Sequence, residues 1–186
     1  MSDFTRKEIQ LAIMQGSNAI DGKIGVGKGP EEWKLALVFK SSLNLTGADL
    51  RGLNAKKLDF SHSHLINADL SRADLTRANL TKANMSHACL ESANLPESNL
   101  EGANLTNANL RSANLTNANL TNVNLDGANL NGANLSGAIL NNASFKGADL
   151  TGSTLTLNDL IAFNLPNQNK LDGATLSDGK LYSKDL

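Results

Sequence analysis

Residues 103–122 read ANLTNANLRSANLTNANLTN, four copies of one five-residue unit with a leucine at the centre. Carried outward in the same register, every fifth residue from Leu45 to Leu165 gives 25 positions, of which 21 are Leu, two are Phe (Phe60, Phe145) and the others are Met85 and Ala55. Two residues before each centre, 19 of the 25 positions are Ala or Ser. The unit is A-[N/D]-L-x-x. At about 100° per residue a helix would rotate successive leucines to every side, so an amphipathic helix is excluded. Ala-Asn-Leu instead matches strand alternation, with Ala and Leu on one side and Asn or Asp on the other. The two remaining residues, rich in Thr, Ser, Asn and Gly, have corner chemistry.

Such a chain buries a narrow column of leucines, with alanine where the interior admits nothing larger. No single coil can be stable alone; stability comes from stacking and from hydrogen bonds between coils. The first coil trades large for small: Leu53 and Leu58 stand where Ala is expected and Ala55 where Leu is expected. A compensated exchange keeps core volume while reshaping one end. With 186 residues, 4% aromatic and 19% charged, the chain is one folded unit, neither an aromatic-rich globule nor a disordered polyelectrolyte.

The 25 A-[N/D]-L-x-x units resemble the pentapeptide-repeat family over about two-thirds of the chain. That resemblance implies an all-β fold, a right-handed quadrilateral β-helix with four units per coil, and at ~4.8 Å per coil a rod roughly 30 Å long. The expected organisation is a small helical N-terminal cap over residues 1–42, the solenoid over 43–181 and a tail over 182–186. In the cap, Ser2 or Asp3 can start one helix and Pro30 a second. The stretch Gly29-Pro-Glu-Glu-Trp33 is similar to the helical region that cyanobacterial members carry before their repeats. After Leu165 the leucines fall at Leu171, Leu176 and Leu181, a one-residue insertion within Asn167–Lys170, and Leu171–Gly179 resembles the family's terminal element.

Candidate chemistry is sparse. Gly22-Lys-Ile-Gly-Val-Gly-Lys28 has half of a phosphate-binding loop, but Gly29 stands where Ser or Thr should hold magnesium. A linker between cap helices is the better reading. His62, His64, His87 and Cys89 fall outward on different sides, so they read as solvated residues and not as metal ligands. No nucleophile–base constellation occurs and a straight rod offers no cleft, which makes the expectation a non-enzyme with no cofactor. Outward asparagines one coil apart, such as Asn94, Asn114 and Asn134, are placed to form amide ladders; Glu91 with Arg111, and Asp126 with Lys146, are placed to form ion pairs.

The net charge of −1, from 17 Lys+Arg and 18 Asp+Glu, gives no global attraction to nucleic acid or to an anionic membrane. Locally, residues 49–82 hold six basic and four acidic residues, whereas 89–165 hold two basic and six acidic. Arg51, Lys56, Lys57, Arg72, Arg77 and Lys82 ring three sides of the first coils and form the candidate docking belt; a solvated surface is the alternative. The single cysteine excludes an internal disulfide, and neither a signal-peptide core nor an 18-residue apolar run occurs. A cytoplasmic location is expected.

The functional expectation is a structural or protein-interaction module with a regulatory or scaffold role, engaging an unidentified protein through its faces, as a monomer or an end-to-end homodimer. The resemblance supplies the alternative, a DNA-mimic modulator of DNA gyrase like the quinolone-resistance members. Mimicry needs abundant negative surface, which this composition lacks.

Overall fold

The computed structural model describes residues 19–20, 23–24, 43–156, 159 and 172–182. From Asn44 onward each outward residue of a unit bridges in parallel to the residue 20 places later: Asn44 to His64, Asp49 to Asp69, Asn54 to Asp74, Asp59 to Asn79, and so on to Asp149. Twenty residues and a five-residue unit give four faces per coil. The faces are numbered here by the first unit of each: Leu45, Ala55 and the two between and after them, Leu50 and Phe60, giving the order Leu45, Leu50, Ala55, Phe60. Each corner takes the number of the face before it.

All five backbone N–H groups of a unit have a destination. In the unit of Leu75, the Leu75 N–H donates to Asn94 O of the next coil, Arg77 N–H to Pro96 O, and Asp74 N–H to Leu53 O of the preceding coil. The Ala78 N–H closes the corner onto Leu75 O at 2.9 Å. The fifth, Thr76 N–H, reaches back to the Asp74 carboxylate at 3.2 Å. That last bond recurs at Asn44, Asn84, Asn114 and Asn129, and explains why the residue before most central leucines is Asn or Asp: a short side-chain acceptor two residues back is what the ladder otherwise lacks.

Each corner is a type II turn, since its second residue has positive φ while its first does not. This holds at every fifth residue from Gly47 to Gly152. Pro96 occupies a first corner position, where its fixed φ suits the turn and its missing N–H forfeits only the bond to the residue two places back and none between coils. Asn94 is thereby left free to accept from Asn114 Nδ2 at 2.9 Å.

The core is the expected one. The central residues from Leu45 to Leu155 and the small residues two places earlier are buried. The exchange in the first coil is internal, with Leu53, Ala55 and Leu58 all buried. Serines replace alanine at Ser63, Ser98 and Ser153, and each finds a backbone partner; Ser98 Oγ donates to Leu95 O at 2.7 Å.

The C-terminal end departs from the sequence expectation. Asp149 bridges to Thr175, a step of 26 where the standard is 20, so the register gains six residues and not one. The departure starts at Thr156, whose Oγ1 accepts the Asp159 N–H at 3.2 Å while Asp159 Oδ2 accepts the Thr156 N–H at 2.8 Å. With this reciprocal capping box, Asp159 is helical where the repeat would make it a bridging residue. Leu160 and Leu165, expected in core columns, lie outside the described residues.

The coil resumes at Asp172 and then reverses. Thr175 pairs antiparallel with Leu181, and Tyr182 N–H donates to Ala174 O at 2.7 Å. Leu181 is therefore not a core leucine but 64% exposed, and Tyr182 packs on the core in its place. Earlier in the chain, β1 (Ala19–Ile20) and β2 (Lys23–Ile24) pair antiparallel. A strand thus stands within the stretch expected to be a linker; Asp21-Gly22, between the two in sequence, is a dipeptide suited to a tight hairpin. The expected cap helices and the tail over 183–186 lie outside the described residues.

Candidate interaction surface

Since the interior is filled, the chemistry lies outward, on three kinds of position: the face residue before each leucine and the two corner residues after it. The six belt residues all occupy corners. Arg51 and Arg72 sit at the second corner, Lys56, Lys57 and Arg77 at the third, and Lys82 at the fourth. Five of them flank the third face; Lys82 stands one corner further round.

Half of these cations are neutralised within the protein. Arg51 Nη2 lies 2.8 Å from Asp49 Oδ2 and its Nε 3.7 Å from Asp69 Oδ2. The hydrogen bond to Asp49, reinforced by its charge, holds the Arg51 guanidinium well above its ordinary pKa. Lys56 Nζ lies 3.2 Å from Asp74 Oδ2. Partial burial pushes the Asp74 carboxyl up, but hydrogen bonds from the Thr76 hydroxyl and N–H and from Lys56 outweigh it and leave the group below the usual range. Arg77 reaches across one coil to Glu97 with two hydrogen bonds, at 2.8 and 3.2 Å, which lower the Glu97 carboxyl. Lys57, Arg72 and Lys82 make no ion pair and no side-chain hydrogen bond among the described residues. The Lys82 stem lies along Gly102, where an added Cβ would come within 3.3 Å of its Cγ.

The expected ion pairs take other forms. Glu91 Oε2 accepts from Asn109 Nδ2 at 3.4 Å, and Arg111 is not within ion-pair distance. Asp126 binds Lys146 through its backbone N–H, at 3.0 Å, and not through the ammonium. The reason is the outward residue of that unit, Ser144: its side chain does not cap the Lys146 N–H, and the Asp126 carboxylate from the coil before does so while accepting the Ser144 hydroxyl. The amide ladders are present on three faces: Asn114 to Asn94 at 2.9 Å, Asn119 to Asn99 at 3.1 Å and Asn104 to Asn84 at 3.4 Å.

His62, His64 and His87 are exposed. Cys89 is half-buried beside Ser71 Oγ and Asn109 Nδ2. Among the described residues no cluster of three or more His, Cys, Asp or Glu could hold a metal, and no helix is long and apolar enough to cross a membrane. Of the phosphate-loop half-motif, only Lys23–Ile24 is described.

Sequence reasoning missed the left-handed corners. The signal was there, as Gly47, Gly52, Gly102, Asn107, Asn117, Asn122 and Gly127 recur at the second corner place. Gly and Asn are the residues that tolerate positive φ best, and against that background lysine, arginine and histidine at the same place stand out.

A family model described as pentapeptide repeats (8 copies) matches residues 44–81, 59–95, 83–122 and 118–156. No curated protein matches the sequence. Among solved structures, the pentapeptide repeat protein Rfr23 from the cyanobacterium Cyanothece 51142 is 34% identical, with a TM-score of 0.56 over 56% of this chain and 85% of that one. A pentapeptide repeat protein of the Arabidopsis thaliana thylakoid lumen is 29% identical over 70% of this chain and 85% of that one, TM-score 0.35. QnrB1, a plasmid-mediated fluoroquinolone resistance protein, is 17% identical over 62% of this chain and 73% of that one, TM-score 0.41. The matched repeats, the 20-residue step and the Cyanothece likeness converge: the chain belongs to the pentapeptide repeat family, whose fold is the right-handed quadrilateral β-helix.

Proposed function

We propose that this protein is a non-enzymatic interaction module of the cytoplasm, with a regulatory or scaffold role exerted by docking an unidentified protein on the outer faces of its first coils. The observation that carries the reading is the distribution of chemistry. The core from Leu45 to Leu155 is apolar apart from three bonded serines, and the charged side chains stand on faces and corners whose spacing is set by the ladder. Rigid, regularly spaced side chains suit recognition, where little side-chain order is lost on binding. Arg51, Lys56, Lys57, Arg72, Arg77 and Lys82 are the residues assigned to the docking surface.

The test places a photo-crosslinking residue at position 57 or 77, and separately at 117 or 137, in cells of the source organism. Discrete protein adducts are expected from the first pair and not from the second. Equal labelling from both, or none, overturns the reading. A gyrase modulator is the weaker reading, because the outward column that a DNA mimic would fill with carboxylates holds asparagine from Asn94 through Asn134 on all four faces. Gyrase supercoiling unchanged by the purified protein is the expected result.

A further inference from the structure

The second corner residue has φ between 55° and 60° at all seven corners from Lys57 to His87, and six of these seven residues are Lys57, His62, Arg72, Arg77, Lys82 and His87. From Gly127 to Gly152 the same place is held by glycine throughout, except Asn142. Left-handed backbone disfavours every residue with a Cβ, asparagine least. The downstream coils show what the fold itself prefers at a corner. Ser92, Glu97 and Ser112 are also left-handed in the coils between, but upstream four long cationic side chains, Lys57, Arg72, Arg77 and Lys82, are kept there against that preference, and strain retained at so many cations points to use.

The ion pairs narrow the set. Arg77 is held by Glu97, which leaves Lys57, Arg72 and Lys82 without an ion pair among the described residues. Arg72 and Lys82 are ten residues apart in a 20-residue coil, so they stand at diagonally opposite corners. Lys57 stands at the corner between them, one coil earlier. A flat partner on the third face meets Arg72 and Lys57; one on the fourth face meets Lys57 and Lys82. A partner that touches all three must turn the third corner.

We propose that Lys57, Arg72 and Lys82 grip an extended acidic polypeptide segment that runs along the third face and wraps onto the fourth. This rests on the docking reading above and gives it a partner chemistry. Duplex nucleic acid is too stiff to turn such a corner, with a persistence length of about 50 nm. Each contact is a charge-assisted hydrogen bond from an unpaired cation to a carboxylate.

The probe is fluorescent poly-L-glutamate, followed by anisotropy at low salt, with oligo(dT) as the comparison. Wild-type protein is expected to bind poly-L-glutamate, and Lys57→Gly/Arg72→Gly/Lys82→Gly to bind about tenfold more weakly. The triple variant is also expected to melt higher than wild type, because glycine relieves the left-handed corners; weaker binding then cannot be put down to misfolding. Arg72→Gly alone and Lys82→Gly alone should each weaken binding, as wrapping requires. Asp74→Asn, which releases Lys56, should tighten it. If only one of the two single variants matters, or the triple variant binds like wild type, the wrapping proposal falls. If oligo(dT) binds and poly-L-glutamate does not, the partner class is wrong. Crosslinks from position 57 alongside failed poly-L-glutamate binding would remove this inference while leaving the docking reading intact.

Discussion

The coils between Lys57 and His87 and those between Gly127 and Gly152 share one left-handed corner backbone and one buried core, yet differ in the residues that stand at their corners. Downstream, the left-handed place holds residues that suit it. Upstream it holds lysine, arginine and histidine, at a cost on the order of 1–2 kcal/mol per left-handed residue. The ladder absorbs this because each corner from Lys57 to His87 is fixed by its own closing bond, such as Ala78 N–H to Leu75 O, and by a bond to the next coil, such as Arg77 N–H to Pro96 O. Core and corner are therefore separable: the core answers to packing alone, and the corners can carry other demands.

The sharpest way to break that separation is to overpack the core in both halves. Ala83→Phe and Ala133→Phe put a large ring into fully buried alanine sites, one upstream and one downstream. Each should cost about 3 kcal/mol or more, measured by urea unfolding, and the two losses should agree. A half that accepts the ring would mean that its interior is not the narrow filled column seen here.

Corner substitutions should instead act in opposite directions. Arg72→Gly relieves a φ of 59° and is expected to gain about 1 kcal/mol, the strain relief being partly offset by the larger entropy of glycine in the unfolded chain. Gly147→Ala, at φ 62° in open space, should lose about 1 kcal/mol. Gly137→Ala should lose more, because its Cβ would also sit 2.1 Å from Asn117 Oδ1 of the coil before and displace that side chain. Equal effects at positions 137 and 147 would show that the cost is backbone strain alone.

These contrasts also mark what could be read before the structure. The five-residue period delivers the inside and outside of every unit, because only a strand-and-corner repeat puts Ala and Leu on one side at that spacing. It even delivers the exchange at Leu53, Ala55 and Leu58. The role of Asn and Asp was legible only in part: stacking in columns follows from the 20-residue step that the family resemblance implies, but the bond to the N–H two residues on depends on the turn, which periodicity does not reveal. Charge pairing was read as one coil up the same column. Long side chains also reach diagonally and back within their own coil, so Lys56 found Asp74, and Arg51 found Asp69 as well as Asp49. At the end of the rod, Thr156-Leu-Asn-Asp159 is a capping-box sequence that the continuing leucines at Leu160 and Leu165 concealed; local helix chemistry won over the repeat register there.

One face residue tests the asparagine role directly. Ile139 stands where Asn belongs on the fourth face and is 46% exposed. It offers no acceptor to the Asn141 N–H, which has no protein partner among the described residues. Ile139→Asn should restore the missing bond, as Asn119 makes it to Thr121 at 3.1 Å one coil earlier, and gain about 0.5–1.5 kcal/mol. No gain would mean that these bonds set corner geometry without adding stability.

The smallest effect lies upstream, where Asp74 holds Lys56. Its carboxyl is more acidic folded than unfolded, so the stabilisation it gives is complete above the unfolded value near ~3.9 and drains away as pH falls through the lower folded value. Asn at this position keeps an oxygen for the Thr76 N–H and hydroxyl but cannot titrate. Asp74→Asn should therefore lose less than about 1 kcal/mol at neutral pH, as expected for a surface pair, and show a shallower fall in stability in acid. An unchanged acid profile would assign the acid sensitivity to Glu97 and the other carboxylates, and would leave the Lys56 pair with no part in holding the first coils together.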